Sequence, residues 1–478
     1  MSIVATGPTV SSISARLERL PSSRWHIKVR TLIGAVTFFE AFDQLLTASA
    51  LPVLTEQWKL STGQGTLIVT SGSVGMLLGA LVAGWLGDRI GRVRTVALGV
   101  AVTALASLAV AVSPGFALFT AFRFIQGLGI GGVVPVAATY INEIARADHR
   151  GRFVLLYELI FPAGLASATL VASWVVPSFG WRVMFLIGAL PVLLVVVMRR
   201  QVPESPRWLL SRGRVEEAEQ VIARIEQDVE KSIGAQLPEP GPATAVETAR
   251  GGLRDLFTGR YLRRTVVVSG LWFVAYYVNH GIATWLPSLY TKTFGLDLRT
   301  ALNYSLLSNV TGLIGCLLVA LIIDRVGRRI SLTIGLGGAA VALLSLAVSG
   351  ATSGGQVAVW ASVATLFVFA TNVSLYLYTP ELYPTRSRAR GASFGGVWNR
   401  LGVILGPIVV GAIIGSGGSL RTVFTQLGCI AVVGAVIALF AVETKGKAGA
   451  QGNEVGRLGA LAVDELARYA QGAPLAHP

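Results

Sequence analysis

A polar loop occurs twice in this sequence, each time between two apolar runs. GWLGDRIGRVRT (84–95) carries Asp88, Arg89, Gly91 and Arg92, and IDRVGRRIS (323–331) carries Asp324, Arg325, Gly327 and Arg328 at the corresponding places. A second echo follows each copy: Tyr140-Ile-Asn-Glu143 runs on to Arg150-Gly151, and Tyr378-Thr-Pro-Glu381 runs on to Arg390-Gly391. Two features repeated at a similar offset mean two halves built on one plan, with each charged loop closing a two-helix hairpin. The positive-inside rule accounts for the Arg and Lys of such loops, but not for the repeated Asp88 and Asp324.

The halves are membrane-embedded. With 53% hydrophobic and only 14% charged residues, the composition is that of a membrane protein. A spanning helix needs ~20 apolar residues, which predicts spans at 31–54, 64–86, 94–113, 116–140, 153–176 and 181–198, then 264–290, 301–323, 331–349, 356–378, 392–414 and 420–441. Arginines gather in the loops after the even-numbered spans, at Arg89, Arg92, Arg94, Arg146, Arg150, Arg152, Arg199, Arg200, Arg325, Arg328, Arg329, Arg386, Arg388 and Arg390. Those loops are therefore expected in the cytoplasm, with both termini. The net charge of +15 then reads as topology rather than as a nucleic-acid footprint. Residues 1–30 lack the apolar core of a cleavable signal, so the first span is its own insertion signal.

The expected division is a cytoplasmic tail (1–30), a six-helix bundle (31–198), a cytoplasmic loop (199–262), a second bundle (263–441) and a cytoplasmic tail (442–478) to which no function is assigned. In the loop, Val215, Ala218, Val221, Ile222, Ile225 and Val229 form one helical stripe. The Pro- and Gly-rich stretch 234–252 reads as a flexible linker, and a short helix is expected near 464–469. Cys316 and Cys429 are the only cysteines, both in apolar runs, and the four histidines are scattered. Neither disulfide nor metal site is expected. No nucleophile elbow or phosphate loop is present, so no enzyme and no cofactor is expected.

The duplicated Asp-Arg-x-Gly-Arg loops, with Pro203-Glu-Ser-Pro-Arg-Trp-Leu209 after the sixth span and Glu443-Thr-Lys-Gly446 after the last, resemble the major facilitator superfamily over residues 31 to 446. The resemblance implies an all-α fold of twelve transmembrane helices in two pseudo-symmetric six-helix bundles. A site near the membrane midplane lies between them. It also implies a gate on the cytoplasmic rim, formed by ion pairs among Asp88, Arg92, Glu143 and Arg150 in one half and Asp324, Arg328, Glu381 and Arg390 in the other. Glycines in Gly127-Leu-Gly129-Ile-Gly131-Gly132 would let helices pack closely and slide.

Ionisable residues inside spans are costly and are functional candidates by default. Here they are Glu40 and Asp43, which share one helix face, Arg123, Glu158, His280 and Arg400. A carboxylate opposite an arginine can exchange its partner for a proton, which makes a coupling switch; the alternative for Asp43 is an ion pair that only fixes packing. Ala41-Phe-Asp43 and Arg123-Phe-Ile-Gln-Gly127 resemble the proton-coupled sugar porters, where the matching acid and arginine pair. Phe39-Glu-Ala-Phe-Asp43 is also similar to the Phe-Asp-x-x-Asp of aromatic-acid and niacin-type proton symporters, which makes Glu40 an equal candidate.

Trp398-Asn-Arg-Leu-Gly402 with Gly406-Pro407 resembles the eleventh span of organic-anion transporters, where the resemblance gives Arg400 the substrate anion. Its planar fork suits a carboxylate. The alternative partner for Arg400 is Glu158. Tyr276, Tyr277, Asn279, His280, Asn309, Asn372 and Tyr376 offer aromatic faces with a few polar groups for an aromatic or branched acid. The seventh and tenth spans lack the paired glutamines and the Gly-Pro-x-x-Trp of hexose carriers. The expected function is proton-coupled uptake of a small organic anion by alternating access in a bacterial inner membrane, with protons, the substrate and lipid as partners and a monomer as the working unit. Sugar or polyol symport, drug or metabolite export (the latter from Arg123-x-x-Gln126-Gly127) and a non-transporting sensor stay open as alternatives.

Overall fold

Inside a bilayer the backbone must satisfy its own hydrogen bonds, and the computed structural model does so with helices. It describes residues 13, 15–21, 23–144, 159–240, 253–383 and 385–445. The long helices are α1 Arg24–Gln57, α2 Thr62–Ile90, α3 Arg92–Ala111, α4 Phe116–Ile144, α5 Ile160–Phe179 and α6 Trp181–Gln201. After the central loop come α7 Arg260–Phe294, α8 Leu298–Val326, α9 Arg328–Val348, α10 Gly354–Glu381, α11 Thr385–Gly415 and α12 Leu420–Leu439. Among the described residues eleven helices are long and apolar enough to cross a membrane; the remaining long one, α1, is interrupted in its middle by Glu40 and Asp43. Pro191, which has no N–H to give, splits α6 into Trp181–Gly188 and Val192–Gln201. Large apolar side chains such as Leu105, Leu321 and Val348 stay exposed, as lipid-facing residues must.

The packing repeats as the sequence does. In the first half α1 packs on α5, α2 on α4 and α3 on α6; in the second α7 packs on α11, α8 on α10 and α9 on α12. Small residues allow the close approaches: a Cβ at Gly127 of α4 would run into the Gly72 carbonyl of α2, and one at Gly315 of α8 into the Leu366 carbonyl of α10. The halves meet through α2 with α11, α5 with α8, and α1 with α7.

Helix starts differ at the two ends of the bundle. At one end, Ser61, Asp297, Ser353 and Ser419 each accept a backbone N–H of the helix they precede. At the other end, α3 and α9 begin at Gly91 and Gly327, whose φ values of 110° and 101° suit glycine, and their caps come from far along the chain. Glu204 accepts from Arg92 N at 2.9 Å and Val93 N at 3.2 Å. Glu443 accepts from Arg328 N at 3.0 Å and Arg329 N at 3.1 Å. Burial alone would raise the Glu443 pKa, yet these N–H groups, with those of Lys445 and Thr444, hold it below its ordinary value.

The central loop contains the helix Val215–Ile233, with Ala218, Ile222, Ile225 and Val229 buried along the stripe. Ile13, Leu17, Leu20 and Trp25 of the N-terminal segment share that apolar cluster. Glu226 binds Arg16 Nε at 3.0 Å and Arg19 Nη2 at 2.6 Å. The later part of the 234–252 stretch and the C-terminal segment near 464–469 lie outside the described residues.

Candidate substrate site between the two halves

Between the halves lies a cavity lined by Thr37, Glu40 and Gln44 of α1, Val134 of α4 and Phe161 of α5 on one side. Tyr276 and His280 of α7, Tyr376 of α10 and Asn399, Arg400 and Val403 of α11 line the other. Its acid and its arginine oppose one another: Arg400 Nη2 lies 4.0 Å from Glu40 Oε1. The Tyr276 ring stacks on Trp272 at 5.5 Å and on His280 at 6.2 Å, and Tyr376 meets the Trp272 ring edge-on at 4.8 Å. The lining thus combines the rings of Phe161, Tyr276, His280 and Tyr376 with the polar groups of Thr37, Glu40, Gln44, Asn399 and Arg400, a surface suited to a flat ring that carries one anionic group.

Deeper in the first half lies a second acid and arginine. Asp43 and Arg123 are almost fully buried, with Asp43 Oδ2 3.5 Å from Arg123 Nη1. Gln126, one turn beyond Arg123 and fully buried, threads between them: its Nε2 donates to Asp43 Oδ1 at 2.6 Å, and its Oε1 accepts from Arg123 Nη1 at 2.5 Å. That orientation is forced, because a guanidinium only donates and a carboxylate only accepts. Gly72 of α2 makes the room, since a Cβ there would stand 2.9 Å from Arg123 Nη2.

The repeated charges of the hairpin loops form two matching networks. Arg92 binds Asp88 at 2.7 Å and Glu143 at 3.1 Å; Arg328 binds Asp324 at 2.8 Å and Glu381 at 3.0 Å. Each of these pairs stays within one half. Tyr140 donates to the Pro203 carbonyl at 2.8 Å, while Tyr378 accepts from Val442 N at 2.9 Å, so both copies tie their hairpin to the segment that follows the bundle. Arg390 is half-buried near the start of α11; Arg150 lies outside the described residues.

Contacts between the halves cluster at the end away from these loops. Asn309 Nδ2 of α8 donates to Thr169 Oγ1 of α5 at 3.0 Å, and Arg299 reaches Ser178 at 3.4 Å. Thr62 and Thr66 of α2 lie against Gly415 and Gly411 of α11.

Several expected residues come together and others do not. Glu40, Arg400, Tyr276, His280 and Tyr376 share the cavity. Tyr277 turns to α12, where Gln426 donates to its hydroxyl at 2.6 Å, and Asn309 is spent on the α5 contact. Asn279 and Asn372 are buried outside the cavity lining. Glu158, the acid first suggested for Arg400, lies outside the described residues; the acid found opposite Arg400 is Glu40. Gln44, Asn399 and the bridging Gln126 were not anticipated. Gln126 stood in the quoted Arg123 motif and lies one turn from the arginine, which was the available signal.

Residues 33–407 match the family model described as Major Facilitator Superfamily. A niacin transporter of Acinetobacter baylyi is 34% identical over 91% of this chain and 98% of its own length. A 4-hydroxybenzoate transporter of the same organism is 25% identical over 91% of this chain and 95% of its own. The xylose transporter XylE of Escherichia coli, in a partially occluded inward-open conformation, superposes with a TM-score of 0.70 over 89% of this chain and 99% of its own at 19% identity, which speaks to the fold.

Proposed function

The chain belongs to the Major Facilitator Superfamily, and from that premise we propose that this multi-pass membrane transporter is a proton-coupled symporter that takes up a small aromatic carboxylate. The observation that carries the reading is the half-buried Arg400 guanidinium in a cavity faced by Tyr276, His280 and Tyr376. A permanently charged fork at such a place favours an anion, because a neutral ligand cannot make the charge-assisted two-pronged contact that a carboxylate makes with it. Two relatives are named for niacin and 4-hydroxybenzoate, both aromatic rings bearing one carboxylate. Glu40 and Asp43 are the acids that couple a proton to the cycle. The arginine-rich loops face the cytoplasm, with both termini and the central helix. The halves then touch on the outer side, so the site faces inward. Alternating access separates that contact and closes the rim, where the networks around Arg92 and Arg328 keep each half rigid. One chain in the inner membrane contains the whole path.

The experiment is binding of nicotinate against nicotinamide to the purified protein. The acid is expected to bind at least ~100-fold tighter, about 3 kcal/mol, the range for a charged hydrogen bond that a neutral analogue cannot make. Equal affinities for acid and amide end the organic-anion reading.

A further inference from the structure

The cavity already contains a carboxylate. Glu40 faces Arg400 at 4.0 Å, longer than a hydrogen bond, and Glu40 Oε2 is buried without a hydrogen-bond partner. The other titratable and charged groups around it are few. Asp43, on the same helix, is engaged by Gln126 and Arg123 of α4. From α7 come Tyr276 and His280, from α10 Tyr376, from α11 Arg400 itself, and α5 supplies Phe161. Arg400 is therefore the one permanent cation in the described lining, and Glu40 holds it loosely.

Building on the organic-anion reading above, we infer that Glu40 is an internal stand-in for the substrate's carboxylate: an incoming anion takes Arg400 from Glu40, and the displaced Glu40 binds a proton. A two-pronged contact fills one edge of a guanidinium, so a carboxylate that takes the edge facing Glu40 displaces Glu40 from it. Two carboxylates crowded against a single arginine at a partly buried site favour protonation of one of them. Glu40 has no second cation to turn to, since Arg123 is committed to Asp43. Substrate and proton thus enter as an electroneutral pair, and neither is held well without the other. The coupling is built into the competition for Arg400 and needs no long-range signal. It also separates the roles of the two acids in α1: Glu40 answers to substrate, while Asp43 is bound within its own half.

The sign follows from linkage. Binding takes up a proton, so affinity for the anion improves as pH falls, by about tenfold per pH unit where Glu40 is ionised before binding and protonated after it. The neutral amide displaces nothing and has no such slope. The test is nicotinate binding to the full-length purified protein from about pH 5.5 to 8, with a soluble pH dye to count protons. The expected result for the parent is the slope, with one proton taken up per anion. Glu40→Gln is expected to bind nicotinate at the alkaline end at least as tightly as the parent does at the acid end, with the slope and the proton uptake both gone. A Glu40→Gln protein that keeps the slope, or that binds more weakly than the parent at alkaline pH, overturns the inference. So does a slope that vanishes in Asp43→Asn or His280→Gln while persisting in Glu40→Gln, because the proton then resides elsewhere. A parent that prefers acid to amide but shows these failures loses only the exchange. A parent without that preference loses the organic-anion reading itself.

Discussion

Glu40 and Asp43, three residues apart in α1, pair with arginines of different halves: Glu40 with Arg400 across the cavity at 4.0 Å, Asp43 with Arg123 of its own half at 3.5 Å. One helix thereby carries one contact between the halves and another within its own bundle, so the proposed alternating access would break the first and leave the second. The first is loose and half-wet at its arginine, the second dry and bridged by Gln126.

Arg400 should be intolerant of substitution in a graded way. Truncating a residue that grips a buried anion costs about 2–5 kcal/mol, since the anion is left desolvated. Arg400→Ala is therefore expected to lose most binding of nicotinate, and Arg400→Lys to recover it only in part, because an ammonium cannot reproduce a two-pronged contact. Calorimetry on both variants checks this; full recovery by lysine would reduce Arg400 to a source of charge.

Asp43→Asn tests coupling separately from binding. It keeps the shape and the hydrogen bond to Gln126 while removing the charge that Arg123 faces. The expected outcome is loss of uphill accumulation in vesicles with an imposed pH gradient, with exchange of labelled for unlabelled substrate retained. If that variant still concentrates substrate, Asp43 only fixes packing.

The N-terminal segment gives a pH-dependent prediction outside the membrane. Burial pushes the Glu226 pKa up, but hydrogen bonds from Arg16 and Arg19 outweigh it and hold the acid below its ordinary value. A depressed acid contributes stability above the unfolded pKa, ~4.3 for glutamate, and loses it as pH falls through the folded value. Docking of the segment onto Val215–Ile233 should be intact at neutral pH and weaken only below that range. Glu226→Gln should weaken it at neutral pH by about 1 kcal/mol, roughly fivefold in the open fraction, and should remove the further weakening in acid. Hydrogen exchange across 15–21 is the readout, and unchanged protection in the variant would mean that Leu17, Leu20 and Trp25 hold the segment unaided.

Much of this architecture was legible because the membrane restricts the choices. Apolar length fixes helices, and a twice-written Asp-Arg-x-Gly-Arg loop fixes the pseudo-symmetry. That Glu204 and Glu443 cap equivalent helix starts is a finding of the structure, because a cap supplied from more than a hundred residues away leaves no local pattern. Periodicity found the stripe on Val215–Ile233. It did not find what covers that stripe, although Ile13, Leu17 and Leu20 have helical spacing, because a short tail segment has no pattern that names its partner. The site was legible by residue type and not by pairing. A charge inside a span announces cost, yet whether Arg400 meets Glu158 or Glu40 depends on how two bundles are rotated against each other, which no local pattern encodes. Likewise Tyr277 and Asn309 have the chemistry of ligands, but helix rotation gives them to Gln426 and Thr169.

The contact between the halves can be trapped. A Cβ built on Gly415 at the end of α11 stands 3.6 Å from the Thr62 Cβ at the start of α2, within the ~3.5–4.5 Å that a disulfide requires. Cys316 belongs to α8 and Cys429 to α12, so the pair Thr62→Cys with Gly415→Cys is tested with each single variant as control for pairing with either. If this contact is the outer gate, the crosslinked protein is expected to stop transport and regain it on reduction. It should still bind nicotinate from the Arg92 and Arg328 side, because the cavity is formed in the state that the bond preserves. Transport that continues at the parent's rate with the crosslink complete would mean that these ends never part, and rocking about the Glu40–Arg400 cavity would have to be abandoned.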